Sequence, residues 1–200
     1  MMANQLSCHC GVCSLTLNDP VPRYSVLCAC QDCRQALRWA AKYGGKAPEH
    51  LIKNVYLRSD ISAATGKTHF LVTKLREDND SVRVFCKECY SVIGVDHHAY
   101  ENNVFLVMSE YCSTNFDISI EPNAVLFLQD YPDEIAPVPS DTIPVFHSLK
   151  YPQERARLRS IKPISETLAP PKTPAIGISF RDLIADLPIR NLNLKPGANP

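Results

Sequence analysis

The sequence predicts a mainly β domain with one short helix, and three observations lead to this fold class. About nine short segments are rich in apolar residues and are separated by turn-forming residues. Only one stretch of the first half, Arg34 to Lys42, has the composition of a helix. Close groups of cysteines stand beside several of the segments. This combination is typical of an all-β or β-dominated domain.

The predicted strands follow one another over the first 129 residues. They cover residues 14–17, 24–27, 51–57, 69–75, 82–85, 91–95, 104–108, 116–120 and 124–129. The polar residues 76–80 predict a hairpin turn between the fourth and fifth of these strands.

The predicted helix follows the stretch Cys28-Ala29-Cys30-Gln31-Asp32-Cys33. Asp32 is a good N-cap residue, and Gln35 three positions later would complete a capping box. Gly44-Gly45 predicts the end of the helix. Cys33 would then lie at the positive end of the helix dipole, where a thiolate is stabilised.

Composition excludes several classes of protein. The chain has 21 basic and 21 acidic residues, so its net charge of zero gives no reason to expect a nucleic-acid or membrane-surface partner. No apolar run approaches the roughly 18 to 20 residues of a membrane span. The first residues lack the charged and apolar regions of a secretory signal, so we expect a reducing, cytoplasmic location. Nine cysteines in such a compartment indicate metal ligands or reactive thiols rather than disulfides.

The cysteine spacing predicts two metal sites. Cys28 and Cys30 would share one face of a strand end, and Cys33 would join them from the first turn of the helix. Three ligands with a vacant fourth position are typical of catalytic zinc. The pairs Cys8/Cys10 and Cys86/Cys89 could together form a closed, four-thiolate structural site. The alternative is that these groups are buried free thiols, which are common singly in protein cores but not at such spacings.

Three motifs resemble the glutathione-dependent formaldehyde-activating enzyme family, also called the CENP-V/GFA family. They are Ser7-Cys8-His9-Cys10-Gly11, Cys28-x-Cys30-x-x-Cys33-Arg34 and Phe85-Cys86-x-x-Cys89-x-Ser91. The resemblance covers roughly residues 5–135. It implies the Mss4-like fold, in which antiparallel β-sheets bind zinc. The chain differs from many members at Ala29, Leu37, Arg38 and Tyr90.

The resemblance also implies two zinc ions per chain. A structural zinc would be held by Cys8, Cys10, Cys86 and Cys89, and a labile, catalytic zinc by Cys28, Cys30 and Cys33. The implied function is a carbon–sulfur lyase-type reaction resembling that of S-(hydroxymethyl)glutathione synthase. The substrate would be a thiol adduct or a small carbonyl compound, and glutathione is one candidate.

Two other functions are compatible with the same residues. One is a zinc-stabilised protein-binding module of the CENP-V type without catalysis. The other is a divergent enzyme of a biosynthetic pathway that uses the same pocket on a larger substrate. The sequence leaves open whether the chain forms a homodimer.

The chain changes character near Tyr131. Twelve of the 16 prolines lie from Pro132 onward, which prevents long regular elements. We therefore predict a zinc domain over residues 5–135 and a proline-rich C-terminal tail over residues 136–200. Near residues 179–187, an apolar stripe of Phe180, Leu183, Ile184 and Leu187 predicts a short helix. Such a helix needs a partner surface, on this chain or on a second subunit.

The remaining candidate residues have less specific signals. Cys13 and Cys112 are expected to be buried thiols. His97-His98 is expected in a solvated turn, because adjacent strand residues face opposite ways. Arg34 and Arg38 stand four apart on the helix, where they could hold a substrate carboxylate or form a solvated face.

Overall fold

The fold is mainly β, as predicted. A computed structural model describes residues 3–131 and 142–196. The strands of these residues are β1 Asn4–Ser7, β2 Ser14–Leu17, β3 Tyr24–Cys28, β4 Ile52–Arg58, β5 Ile61–Thr65, β6 Phe70–Lys74, β7 Ser81–Cys86, β8 Val92–His97, β9 Val104–Met108, β10 Ser113–Thr114, β11 Val125–Leu126, β12 Val145–Phe146 and β13 Ile189–Asn191. The helices are α1 Gln31–Ala41, α2 Pro152–Arg159, α3 Lys162–Leu168 and α4 Phe180–Ile184, with 3-10 turns at Lys67–His69, His98–Tyr100 and Leu128–Asp130.

The strands form two sheets. The small sheet has the order β10-β1-β2-β5, and the large sheet has the order β12-β11-β3-β4-β9-β8-β7-β6-β13. Neighbours in the interior of the large sheet are antiparallel, as in the predicted hairpin of β6 and β7. The edge pairings of β11 with β3, β11 with β12 and β13 with β6 are parallel, because these late strands arrive after long excursions of the chain.

Side chains of the large sheet alternate between its two faces, and each face packs in a separate hydrophobic core. The helix-side core contains Trp39 and Leu37 of α1, Tyr56 of β4 and Ile164 of α3. The sheet-side core contains Leu6 and Leu15 of the small sheet, together with Val55, Phe105 and Phe180. Along β4 and β9, successive residues belong alternately to one core and the other, as the period of a strand requires. The large sheet is therefore buried on both faces, and Cys28 and Cys86, one from each cysteine group, are the last residues of its strands β3 and β7.

One predicted strand is wrong and one is shortened. Residues 116–120 have no strand assignment, although Phe116 and Ile120 pack against the sheet-side core. Asp117 instead accepts hydrogen bonds from the backbone nitrogen and hydroxyl of Ser119, a local turn that competes with strand pairing. The segment predicted over residues 124–129 contains only the two-residue strand β11 before a 3-10 turn begins.

Residues of the tail contribute to both cores. Phe146 and Ile164 belong to the helix-side core, and Phe180, Leu183 and Ile184 belong to the sheet-side core. The short helix α4 begins after Ser179, whose side chain accepts a hydrogen bond from the backbone nitrogen of Asp182. The expected boundary at residue 135 lies outside the described residues, so the division into domain and tail stays a prediction.

Within residues 3–131 and 142–196, none of the helices has the length and apolar character that crossing a membrane requires.

Candidate metal centre

Four cysteines from two distant parts of the chain meet at one end of the sheets. This four-cysteine cluster consists of Cys8, Cys10, Cys86 and Cys89, whose sulfurs all lie within 4.8 Å of one another. Cys8 follows β1 and Cys86 ends β7, so the cluster joins β1 of the small sheet to β7 of the large one. The sequence prediction of which cysteines lie together agrees with this arrangement.

Two tight turns bring these four sulfurs close together. In the first, the backbone nitrogen of Cys8 bonds the carbonyl of Cys13, and Gly11 adopts a φ of +77°. In the second, the backbone nitrogen of Tyr90 bonds the carbonyl of Cys86, and Tyr90 adopts a φ of +53°. Backbone N–H groups of Cys13 and Glu88 donate to the sulfurs of Cys8 and Cys86, at 3.2 and 3.4 Å. Burial raises the pKa of Cys86 well above its usual range, and the hydrogen bond from Glu88 opposes this rise only in part.

Ser91 connects the two turns, and sequence reasoning gave it no role of its own. Its hydroxyl oxygen accepts a hydrogen bond from the backbone nitrogen of His9 at 3.1 Å and lies 3.2 Å from the sulfur of Cys89. Burial opposes ionisation of Cys89, but hydrogen bonds with Ser91 and Cys10 together outweigh it and lower the pKa of Cys89 to about 6. The serine therefore helps to prepare one member of the cluster as a thiolate.

The second group, here the three-cysteine cluster, consists of Cys28, Cys30 and Cys33. Cys28 ends β3, Cys30 precedes α1 and Cys33 lies in its first turn. The three sulfurs lie within 4.8 Å of one another, with 4.0 Å between those of Cys28 and Cys33. Cys28 and Cys33 are buried, whereas Cys30 is half-buried. Within the described residues, no fourth cysteine, histidine, aspartate or glutamate joins this group.

The helix begins differently from the predicted capping box. Cys30 is the N-cap, and its sulfur accepts a hydrogen bond from the backbone nitrogen of Cys33 at 3.2 Å. Asp32 instead accepts hydrogen bonds from Arg76 and Asn79 of the turn between β6 and β7. Gln35 donates to the carbonyl of Lys195. The prediction of Asp32 as N-cap was wrong because the sulfur of Cys30, two residues earlier, satisfies the helix end.

The electrostatics of the three-cysteine cluster favour one thiolate. Hydrogen bonds from the thiols of Cys28 and Cys30 lower the pKa of Cys33 well below its ordinary value, and the positive charge of Arg83 acts in the same direction. Cys33 also lies at the amino end of α1, as the sequence predicted, where backbone dipoles stabilise negative charge. A metal cation would find its first anionic ligand there.

Both donor sets fit zinc. Tetrahedral coordination with zinc–sulfur bonds of about 2.3 Å places the sulfurs about 3.8 Å apart. The sulfur of Cys10 lies 3.4 Å from that of Cys8 and 3.8 Å from that of Cys86. The 4.0 Å between Cys28 and Cys33 agrees with the same geometry. The four-cysteine cluster can form a closed shell, and the three-cysteine cluster leaves one position for another ligand.

A third group lies near the surface but does not fit a metal. Asp80, His97 and His98 come together, with the two imidazole rings stacked at 4.4 Å. The Nδ1 atom of His97 accepts a hydrogen bond from the backbone nitrogen of Ala99. The one proton of the neutral ring then lies on Nε2, so neither nitrogen is free to bind a cation. His98 is exposed, in agreement with the predicted solvated turn, and His97 is half-buried at the strand end.

The two remaining cysteines are buried, as predicted. Cys13 lies next to the four-cysteine cluster, and its sulfur is directed toward the carbonyl of Gly66 at 3.7 Å. The sulfur of Cys112 is directed toward the carbonyl of Met108 at 3.6 Å. Burial raises the pKa of Cys13 to about 11 and that of Cys112 to about 12. Both are therefore neutral thiols at physiological pH.

Arg34 has a structural role rather than an open, substrate-facing one. Its guanidinium is buried and donates to the carbonyls of Ala29 and Asp130, the latter at 2.5 Å. These bonds fix the backbone between Cys28 and Cys30 against the 3-10 turn at Leu128–Asp130. The prediction that Arg34 could hold a carboxylate has no support from this geometry, and Arg38 has a partner of its own.

The matched family agrees with these two clusters. A sequence model described as glutathione-dependent formaldehyde-activating enzyme matches residues 3–130, which is more than half of the chain and includes all seven clustered cysteines. Comparison with curated proteins yields no match.

Proposed function

Because the chain belongs to the glutathione-dependent formaldehyde-activating enzyme family, we propose that it is a zinc-dependent enzyme of the carbon–sulfur lyase type. One observation carries this proposal: three cysteine sulfurs converge without a fourth protein ligand among the described residues. A purely structural zinc is held by four ligands, whereas a catalytic zinc keeps one position for substrate. We place the reaction at the three-cysteine cluster.

The proposed reaction joins a thiol and a small carbonyl compound. A carbon–sulfur bond forms, the π electrons of the carbonyl move to its oxygen, and the thiol proton ends on that oxygen; the lyase direction is the reverse. Zinc at the site would supply Lewis acidity, which stabilises a thiolate or polarises a carbonyl at neutral pH. Glutathione and formaldehyde are the pair that the family name indicates, and they are our proposed substrates.

The three cysteines of the cluster are buried to different degrees, and this difference supports one direction of approach for the substrate. Cys28 and Cys33 are 3 % and 7 % exposed, so they close the inner side of the site. Cys30 is more accessible and lies at the start of α1. A substrate sulfur or oxygen would therefore approach past Cys30. The hydrogen bond from Cys33 to the sulfur of Cys30 would orient this outermost ligand.

The four-cysteine cluster has a separate role in this proposal. Its closed ligand set and its position between two sheets suit a structural zinc that stabilises the fold without contacting substrate. We propose the same division for the whole chain: Cys8, Cys10, Cys86 and Cys89 hold structure, and Cys28, Cys30 and Cys33 hold the reacting metal. A cytoplasmic location and a small-molecule partner remain part of the proposal.

The reaction is tested by measuring adduct formation from glutathione and isotopically labelled formaldehyde by NMR exchange, above the uncatalysed rate. The wild-type protein should accelerate the exchange, and Cys30→Ser should abolish the acceleration while the protein stays folded. Cys112→Ala, which removes a buried thiol outside both clusters, should retain it. A zinc-loaded wild-type protein that accelerates no thiol–aldehyde exchange would contradict the proposal and favour the binding-module alternative.

A further inference from the structure

Arg83, like Arg34, is a deeply buried cationic residue near the three-cysteine cluster. It is 3 % exposed on β7. Arg83 and Phe85 are two positions apart on this strand and share a face, and Phe85 belongs to the helix-side core that also contains Cys28 and Cys33. Val95, the partner of Arg83 on β8, belongs to the same core. The strand register therefore places the guanidinium on the side of the sheet that carries the cluster.

Hydrogen bonds hold the Arg83 guanidinium in place, but one of its N–H donors has no acceptor. Its Nη1 atom donates to the side-chain oxygen of Asn79 at 3.3 Å, and Asn79 in turn donates to Asp32 of α1. The buried Nε atom has no hydrogen-bond partner. Among the described residues, no carboxylate forms an ion pair with Arg83. Cys33 hydrogen-bonds the guanidinium from one side. The buried Nε, which has no partner, leaves a donor for a further anionic oxygen.

The surroundings of Arg83 connect it to the reacting site. The Asn79 side chain bridges the Arg83 guanidinium to Asp32, the residue before Cys33 in α1. Tyr56 and Tyr100 pack in the same core as Cys28 and Cys33. The Tyr100 hydroxyl is 3.4 Å from that of Tyr56, so two phenols border the same region. Arginine is suited to this position, because its planar guanidinium can donate one hydrogen bond to a protein side chain and another to a ligand oxygen.

We propose that Arg83 holds a negatively charged oxygen of the substrate beside the three-cysteine cluster, and this inference rests on the proposed function. The oxygen has two possible sources. It is either a carboxylate of an acidic thiol such as glutathione or the alkoxide that the aldehyde oxygen becomes when the carbon–sulfur bond forms. In both cases Arg83 donates through the nitrogen that has no partner in the protein.

The test compares wild type, Arg83→Met and Arg83→Lys as full-length, zinc-loaded proteins. Arg159→Met is the matched control, because Arg159 is exposed on α2. Kinetics are measured with formaldehyde and either glutathione or 2-mercaptoethanol, which has no carboxylate. Zinc per chain and the melting temperature are measured on every sample, so that loss of metal or of fold is separated from loss of substrate binding.

The two sources of the oxygen give different results. If Arg83 holds a carboxylate, Arg83→Met should raise the KM for glutathione roughly 10- to 100-fold and leave the KM for 2-mercaptoethanol unchanged. If Arg83 holds the alkoxide, kcat should fall about 100-fold or more with both thiols. Either result supports the inference. Arg83→Lys should show a smaller effect of the same kind, and it decides the question if Arg83→Met does not fold.

Equal kcat and KM values for wild type and the Arg83 variants, at equal zinc content, would overturn the inference. So would an activity loss that only follows loss of zinc, because Arg83 would then merely balance the charge of the thiolates. A second measurement separates failure of this inference from failure of the proposed function. Glutathione is titrated into cobalt-loaded protein, and its dissociation constant is measured from the sulfur–cobalt absorption band. Wild type that binds glutathione but forms no adduct contradicts the reaction, and equal dissociation constants for Arg83→Met then overturn the role of Arg83.

Discussion

At position 90 the backbone has a conformation that side chains rarely adopt. Tyr90 has a φ of +53° in the turn that holds Cys86 and Cys89. The ring of Tyr90 stacks on Tyr43 at 5.0 Å and meets the edge of Trp39 at 5.6 Å. Left-handed backbone costs a non-glycine residue about 1–2 kcal/mol, and each aromatic pair contributes about 0.5–1.5 kcal/mol. The aromatic contacts therefore offset the strain of the turn.

This balance predicts that, at position 90, a glycine variant is more stable than an alanine variant. Both Tyr90→Ala and Tyr90→Gly lose the aromatic contacts, but only the glycine also relieves the strain. We expect the glycine variant to be about 1 kcal/mol more stable than the alanine variant. Denaturant unfolding of the zinc-loaded proteins measures the difference.

Tyr43 provides the matched control, because it is the other half of the same stacked pair and its φ is not positive. At position 43, alanine should be more stable than glycine by about 0.5–1 kcal/mol. The same order of alanine and glycine at both positions would contradict the account of the turn.

At the residue scale, the sequence predicted the members of both clusters but not their supporting residues. The grouping of the cysteines could be predicted because their short spacings in the sequence already bring the sulfurs of each pair or triplet close together. Ser91 and Arg83 act through partners that stand far away in the sequence, His9 in one case and Cys33 in the other. No local pattern marks such contacts, since they depend on how the strands are paired.

At the scale of elements, α1 and the turn between β6 and β7 are connected through Asp32. Its carboxylate accepts hydrogen bonds from Arg76 at 2.8 and 2.9 Å and from Asn79 at 2.8 Å. Sequence rules favour aspartate as an N-cap, and they failed here because tertiary partners and the sulfur of Cys30 compete for the same groups. The existence of the helix and of the hairpin was predicted correctly, while the contact between them required the structure.

The two clusters connect elements in different ways, which predicts different effects of losing a ligand. Cys86→Ser opens the cluster that joins β1 to β7 and should destabilise the protein by several kcal/mol, since structural zinc contributes roughly 10–16 kcal/mol in small domains. Cys30→Ser removes a ligand within one β–α connection and should lower stability much less, with a severe loss of activity. Thermal unfolding under reducing conditions compares the two.

Cys112→Ala is the control for these substitutions, because Cys112 is a buried thiol outside both clusters. Its loss should cost about 1 kcal/mol, as deletion of a small buried group does. Equal decreases in melting temperature for Cys86→Ser and Cys30→Ser would contradict the division into a structural and a catalytic site.

At the scale of the whole molecule, residues beyond the family match complete the core. Phe180 stacks on Phe105 with ring centroids 4.9 Å apart. A side-chain carbon on Gly94 would come within 2.7 Å of the Phe180 ring, so the glycine in β8 leaves the space that this ring occupies. Arg181 is paired with Asp96 of the same strand at 2.8 Å. The apolar stripe predicted from the sequence has its partner surface on this chain.

This docking predicts protection of the tail from proteolysis. The Arg181–Asp182 bond in α4 should be cleaved by trypsin far more slowly than in a free peptide of the same sequence. Leu183→Asp places a charge at a position that is 5 % exposed and should release the segment. The course of cleavage is followed by mass spectrometry of the intact chain.

Lys172 is an internal reference for this experiment, because it is exposed in the loop before α4. Cleavage at Arg181 as fast as in the free peptide would show that α4 does not stay docked in solution. The sequence predicted this helix from its stripe, but in the tail it missed α2, α3, β12 and β13. Their residues carry weak periodicity, and β13 forms only because β6 offers it an edge.

Zinc content tests the central claim most directly, namely that the chain has one closed and one open zinc site. Metal analysis of folded protein, purified under reducing conditions without chelator, should give two zinc ions per chain for wild type and one for Cys30→Ser. Mild chelation should remove one ion from wild type and leave its fold intact. Absence of zinc from wild type, or equal zinc content in wild type and Cys30→Ser, would contradict the account.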